Sequence, residues 1–402
     1  MKRHFLGAIT ALTVFASCST DDEVLPDDNQ IITPVDYTFE RGNNPTVDYS
    51  GQTTRLQMAA ELMGSFNDFD NATAESLSNM FSNTNNPFSS AALNESDKSV
   101  KSKVAASNLY FSTNSVESTA IKNDFEAFIT EQMEAVKPNR EQLAEPGVAG
   151  QIADGSSVRY VNGQGLEMNQ AFAKSLIGGL VLDQILNHYL SQAVLDEGDN
   201  RSRNDEGIVE EGKNYTTMEH KWDEAYGYLY GDPSIPTANP NSVLNQSQDR
   251  LLFNYLGRLE NDSDFAGIAE DTFEAFKKGR AAIAAGEYEV RDEQVAIIRE
   301  NLSKVVAVRA IYYLQGGKEA LAEGKYGSAF HDLSEGYGFI YSLRFTNNPD
   351  TGLSYLSKTK IDEYKEQLLS DNGFWDVTPA TLDRISEEIA NAFGITVTQA
   401  AE

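Results

Sequence analysis

Histidine is scarce in this chain of 402 residues, with four in all, and two of the four head closely similar stretches. His220 to Gly231 reads HKWDEAYGYLYG, and His331 to Ser342 reads HDLSEGYGFIYS. Identity falls on His220 with His331, Glu224 with Glu335, Tyr226 with Tyr337, Gly227 with Gly338 and Tyr230 with Tyr341. In a helix each residue turns by about 100°, so a histidine and the glutamate four places on share one face. His220 with Glu224, and His331 with Glu335, then offer imidazole nitrogen and carboxylate oxygen, donors that suit iron, zinc and other divalent ions. Helix bundles build metal sites from inward side chains on facing helices, so the four residues are the candidate metal ligands. Asp223, His188, Arg309, Tyr226 and Tyr337 are the side chains that could support them from behind. A duplicated bundle could equally keep the two pairs as buried hydrogen bonds.

The elements that must hold these residues are helical. A glycine inside a helix costs about 1 kcal/mol relative to alanine, so Gly227 and Gly338 call for close approach of a neighbouring helix or of a ligand. Apolar residues at helical spacing predict helices over 55–66, 73–82, 116–136, 166–194, 246–260, 264–285 and 291–314. The 166–194 helix is apolar on more than one face, which places it in the centre of a bundle. Gln184 and His188 sit four apart inside it and read as polar core residues with bonded neighbours. Arg309 interrupts the apolar stripe of 291–314 and needs a carboxylate, for which Glu335 is the candidate. Thr378 as cap, Pro379 in the first turn and Gly394 after the last frame a helix over 379–393. Extended structure is confined to short segments at 37–52 and a hairpin at 157–165, turning at Asn162-Gly163. The fold class is therefore all-α, a duplicated helical bundle with little or no β structure. Residues 38–402 form one domain with halves at about 49–231 and 245–402.

Lys and Arg number 32 against 61 Asp and Glu, a formal charge of −29. Nucleic acid is excluded as a partner, because binding it relies on basic phosphate contacts. The single cysteine, Cys18, rules out an internal disulfide and a thiolate metal cluster. Residues 1–17 have the basic start, short apolar run and small-residue end of a secretory signal. Residues 18–37 are polar, aperiodic and proline-bearing, as a flexible tether would be.

Phe15-Ala16-Ser17-Cys18 resembles the bacterial lipobox, which makes Cys18 the lipidation site. Ser19-Thr20-Asp21-Asp22-Glu23 resembles the acidic signal that sends such lipoproteins to the outer face of the outer membrane, with the periplasmic face as the alternative. The lipobox, the helical body and the His-centred signature together resemble the imelysin-like group of envelope proteins. Within it the chain looks closest to an uncharacterised family of surface lipoproteins, through Tyr49-Ser-Gly-Gln-Thr53 with Arg55, Gly147-Val-Ala-Gly150 and His220-Lys-Trp-Asp-Glu-Ala-Tyr-Gly227. The wider signature Gly-x-His-x-x-Glu falls on Met218, His220 and Asp223, so the histidine is kept while the other two positions change. The resemblance implies two antiparallel bundles and a part in iron uptake.

Three functions follow as expectations. A surface lipoprotein that binds a metal ion or metal complex requires His220, Glu224, His331 and Glu335 to converge. A glycan- or protein-binding partner of an outer-membrane transporter requires an exposed aromatic platform, for which Trp222 and the tyrosines are available. A metal-dependent peptidase requires the same convergence plus an open coordination position and a general base. Binding is preferred to catalysis, because no nucleophile or acid–base set stands out beyond the two stretches.

Overall fold

Thr216 and Glu219 start the helix that carries the first stretch. The Thr216 hydroxyl accepts the Glu219 N–H and the Glu219 carboxylate accepts the Thr216 N–H, a reciprocal cap for Thr217–Tyr230. The second stretch lies on Tyr326–Ser342. A computed structural model describes residues 31–402 of the chain. The secretory signal over 1–17, Cys18 and the tether up to residue 30 lie outside the described residues.

The described chain is predominantly helical, with two small two-stranded sheets, so the all-α expectation holds. Residues 31–402 make one compact unit. Its longest helix, Tyr288–Ala322, runs on one side against Ile268–Ala285 and on the other against Tyr326–Ser342. Tyr326–Ser342 also packs on Met168–Leu176, so an element from the first half of the sequence is built into the second. Thr217–Tyr230 packs between Ser50–Ser65, Ile268–Ala285 and the segment Ile185–Tyr189.

The central helix expected over 166–194 is present but not uniform. It begins as the α-helix Met168–Leu176 and continues through two π-helical segments, Ile177–Leu182 and Ile185–Tyr189. Its placement is central, since every residue from Met168 to Leu182 is buried except Asn169 and Gln170. π-Turns are rare and concentrate at functional positions.

Local expectations need correction, beginning with the helices over 246–260 and 264–285, which start only at Leu252 and Ile268. The hairpin pairs Gly150–Asp154 with Ser157–Val161 and turns at Gly155-Ser156, not at Asn162-Gly163. Gly155 takes the positive φ of +60° that the tight turn demands, and Asp154-Gly155 is as good a turn signal as Asn162-Gly163. Ser50 to Gln52 are helical rather than extended: the helix starts at Ser50, whose N–H and hydroxyl donate to Asp48 Oδ1 at 3.1 and 2.9 Å. The helix expected over 291–314 reaches Ala322, through Gly316 and Gly317. A Cβ on Gly317 would lie 2.6 Å from Leu333 Cγ, so the crossing with Tyr326–Ser342 uses the glycine. The C-terminal helix is as expected, Pro379–Phe393, with Thr378 capping Thr381 and Gly394 left-handed at φ +65°.

Candidate functional site

Both glycines of the paired stretches are explained by close approach of a neighbouring segment. A Cβ on Gly227 would sit 2.4 Å from Tyr49 Cβ, and one on Gly338 would sit 2.4 Å from Lys174 Cβ. Neither glycine is opened for a ligand. The two His–Glu pairs lie in separate networks, each with its own partners.

In the first network the helix Thr217–Tyr230 shows two polar faces. Asp223 and Glu219 turn toward a fully buried guanidinium, that of Arg280, whose Nε donates to Asp223 Oδ1 at 3.1 Å and whose Nη1 donates to Glu219 Oε1 at 3.0 Å. This cluster pins the extended residues 34–49 across the helices. Tyr37 donates to Asp223 at 2.7 Å, Arg280 Nη2 donates to Thr46 Oγ1 at 3.1 Å, and Tyr37 stacks on Tyr226 at 3.6 Å. Burial drives the Asp223 carboxyl up to about 6, against the pull of Arg280. Asp223 and Tyr226 are thus fastenings of the N-terminal strap and not supports of His220.

His220 and Glu224 occupy the other face, together with a group of cations. His220 stacks on Tyr215 at 4.4 Å, and its Nε2 lies 4.0 Å from Glu224 Oε2, beyond hydrogen-bond range. Glu224 is instead satisfied by Lys221 Nζ at 2.9 Å and Gln52 Nε2 at 3.0 Å. Around it stand Arg55 from Ser50–Ser65, Lys103 from the short helix Val100–Lys103, and His188 and Tyr189 from the second π-segment. The Lys103 and Lys221 ammonium groups lie 5.2 and 5.6 Å from the centroid of the Tyr189 ring. Arg55 is 7% exposed, and its Nε has no hydrogen-bond partner. Burial, then the nearby Arg55 charge, lowers Lys103 to about 8. Burial, then Lys103 and Lys221, lowers His188 to about 4, so this imidazole is neutral. Its Nδ1 accepts the Asn108 N–H at 3.1 Å, which leaves the proton on Nε2.

The second network is balanced by acids. His331 lies between two carboxylates, with Nδ1 at 3.3 Å from Glu167 Oε2 and Nε2 at 3.5 Å from Glu335 Oε1. Burial opposes a charge on His331, but Glu167, with Glu335 behind it, outweighs burial and raises the pKa. Lys174 Nζ sits 3.5 Å from Glu335 Oε1, and the Tyr255 hydroxyl donates to Glu335 Oε2 at 3.4 Å. Against burial, Lys174 foremost among its partners holds the Glu335 carboxyl below its ordinary value. Arg159 bridges Asp154 at 2.7 Å and approaches Glu167 at 3.9 Å. Asp332 is pushed up to about 6 by burial.

The expected Arg309–Glu335 ion pair is not formed. Lys174 takes that place, and the Arg309 guanidinium lies over Tyr312 and Tyr313, 3.8 and 4.6 Å from their centroids. It still helps to lower Glu335 through space. Tyr337 is buried edge-on to Phe128, 6.4 Å between centroids. Trp222, the aromatic considered for an exposed platform, is fully buried, with Nε1 donating to Phe276 O at 3.0 Å.

Among the described residues no group of three or more His, Cys, Asp or Glu stands placed to hold a metal ion. A metal at the first network would find His220 and Glu224 as its protein donors, which suits an ion that arrives with ligands of its own better than a bare one. Sequence reasoning missed Gln52, Lys103 and Lys221 as members of this network. Arg55 had a signal, since it adjoins the segment Tyr49–Thr53, and the structure brings that segment onto His220–Gly227 through Tyr49 and Gln52, with Arg55 beside Tyr228. The strap also borders a cleft of about 400 Å³ lined by Tyr37, Phe39, Val47 and Tyr49, whose charged lining residues, Glu40 and Asp48, are acidic.

No curated protein and no solved structure matches the chain. A family described as a domain of unknown function (DUF4856) matches residues 34–396, nearly the whole chain, and the protein belongs to that family.

Proposed function

We propose that the protein is a lipid-anchored envelope protein that binds a metal complex, assisting iron uptake, and that the first network receives it. The observation that carries this reading is the unfinished polar chemistry around Glu224. Arg55 Nε and His220 Nδ1 are both buried without hydrogen-bond partners. An absent ion or ligand is one of the standard explanations for such atoms, which the second network also has at Arg309 Nε and Glu167 Oε1. The lipobox around Cys18 supports the anchor, and the likeness to imelysin-like proteins supports iron. The glycan-binding alternative loses its main aromatic, because Trp222 is interior. Binding is favoured over peptide cleavage, since a catalytic metal needs about three protein ligands and an open position.

The test measures metal bound by the purified chain after exposure to iron and zinc salts and to ferric citrate, beside His220→Ala and Glu224→Gln. One metal per chain in the parent, reduced in variants that melt at the parent's temperature, is the expected result. Absence of metal under every condition would overturn the reading.

A further inference from the structure

The first network holds more positive charge than its carboxylates can use, in a protein whose formal charge is −29. Glu224 is engaged by Lys221 and Gln52. Asp183, the other acid nearby, accepts the backbone N–H groups of Ala106 and Ser107, both at 2.9 Å, and burial raises its carboxyl to about 6. Arg55 and Lys103 therefore form no ion pair among the described residues, although burying a cation without a partner is costly.

We propose that this cluster is a binding site for a small oxyanion, a carboxylate or phosphate group, held by Arg55, Lys103, Lys221 and the His188 Nε2–H. The inference rests on the reading of this network as a ligand site and adds the chemical class of what enters. Four donors from four separate segments lie close enough to act on one another's charge. Arg55 supplies a buried N–H with no acceptor. Lys103 and Lys221 bring two ammonium groups to one tyrosine ring, whose hydroxyl lies 3.4 Å from Gln52 Nε2. His188 is fixed as a neutral donor by its bond to Asn108. The Lys221 side chain is 28% exposed, so one member of the group meets water. Charge-assisted hydrogen bonds from guanidinium and ammonium are the strong ones, and they would satisfy the Arg55 donor and relieve the repulsion among the cations. A metal complex whose outer atoms are carboxylate oxygens presents the same chemistry.

Isothermal titration of the full chain with inorganic phosphate, with citrate and with ferric citrate tests the assignment, beside Lys103→Met and, as a control on the opposite network, Arg159→Met. Saturable one-to-one binding of phosphate or citrate is expected, weakened at least about tenfold by Lys103→Met and unchanged by Arg159→Met. Lys103→Met should melt no lower than the parent, since it removes an unpaired, desolvated cation, so lost binding cannot be put down to unfolding. Which of the two free anions binds more tightly separates a phosphate site from a carboxylate site. Absence of binding by both, or binding indifferent to Lys103→Met, would overturn the oxyanion assignment. If iron or zinc salts alone then bind through His220, metal binding survives while the oxyanion assignment falls. If free anions bind and ferric citrate does not, the reverse holds.

Discussion

The two copies of the His-Glu-Tyr-Gly stretch have the same helical geometry and opposite electrical surroundings. At His331 the ring lies between Glu167 and Glu335, and Lys174 completes the neutralisation. At His220 the ring stacks on a tyrosine, its glutamate is occupied by Lys221 and Gln52, and Arg55, Lys103 and His188 crowd the same place. Close approach at Gly227 and Gly338 is common to both stretches, while the polar partners differ. The lesson is that the motif is primarily a packing device, and its chemistry is set by what the neighbouring segments bring.

The sharpest way to break this contrast is to remove each glutamate. Glu335→Ala should cost about 3 to 5 kcal/mol in denaturant unfolding, because Lys174 is left buried without its carboxylate. Glu224→Ala should cost about 1 to 2 kcal/mol, because Lys221 can turn to water. Added phosphate should restore stability to Glu224→Ala alone. Equal losses, or equal rescue, would erase the distinction between the networks.

Titration offers a second test, with opposite signs. His188 binds a proton near 6.5 when unfolded and near 4 when folded, so the unfolded chain holds more protons between those values. Its contribution to stability falls as pH drops through that window, by up to about 3 kcal/mol, and His188→Gln should flatten that part of the curve. His331 has a raised folded pKa, so its contribution is complete below 6.5 and fades as pH rises through the raised value. His331→Gln should therefore be most damaging under acidic conditions and converge on the parent in alkali. Melting temperatures of both variants across pH would reveal parallel curves if the networks were alike.

The shared part of the motif makes the next expectation symmetrical. Gly227→Ala and Gly338→Ala should each cost about 2 kcal/mol, since a methyl group would fall within 2.4 Å of a neighbouring Cβ, outweighing the gain of about 1 kcal/mol in helix propensity. A stabilised variant at either position would mean that the crossing relaxes freely. The smallest contrast is at the last matched tyrosines. The Tyr341 hydroxyl donates to Asp124 at 2.7 Å, whereas that of Tyr230 is buried without a partner. Tyr341→Phe should cost about 1 kcal/mol or slightly more, and Tyr230→Phe should be neutral or mildly stabilising.

How much of this could be read from the sequence depended on how local the signal was. Pro379–Phe393 was legible to the residue because its cap, its first-turn proline and its terminal glycine are all neighbours in the chain. Both His–Glu helices were legible from their repeat. The extension of Tyr288–Ala322 through two glycines was not, because Leu333 of another helix occupies the space that a side chain would fill. The cation cluster was the least legible feature. Arg55, Lys103, His188 and Lys221 come from four distant segments, and polar residues facing a shared interior carry no period. Lys174 in place of Arg309 as the partner of Glu335 has the same cause, since the choice between two cations is made by helix packing.

The two π-segments before Tyr189 have a consequence for comparing this chain with others of its family. A π-turn accommodates one residue more than the α-turn around it, so Ile177–Leu182 and Ile185–Tyr189 behave as insertions hidden inside a continuous helix. Relatives that lack one of these turns would be one residue shorter here with no loop to absorb the gap. An alignment that forbids gaps within helices would then set the wrong residue opposite His188, and a shared imidazole would look like a substitution.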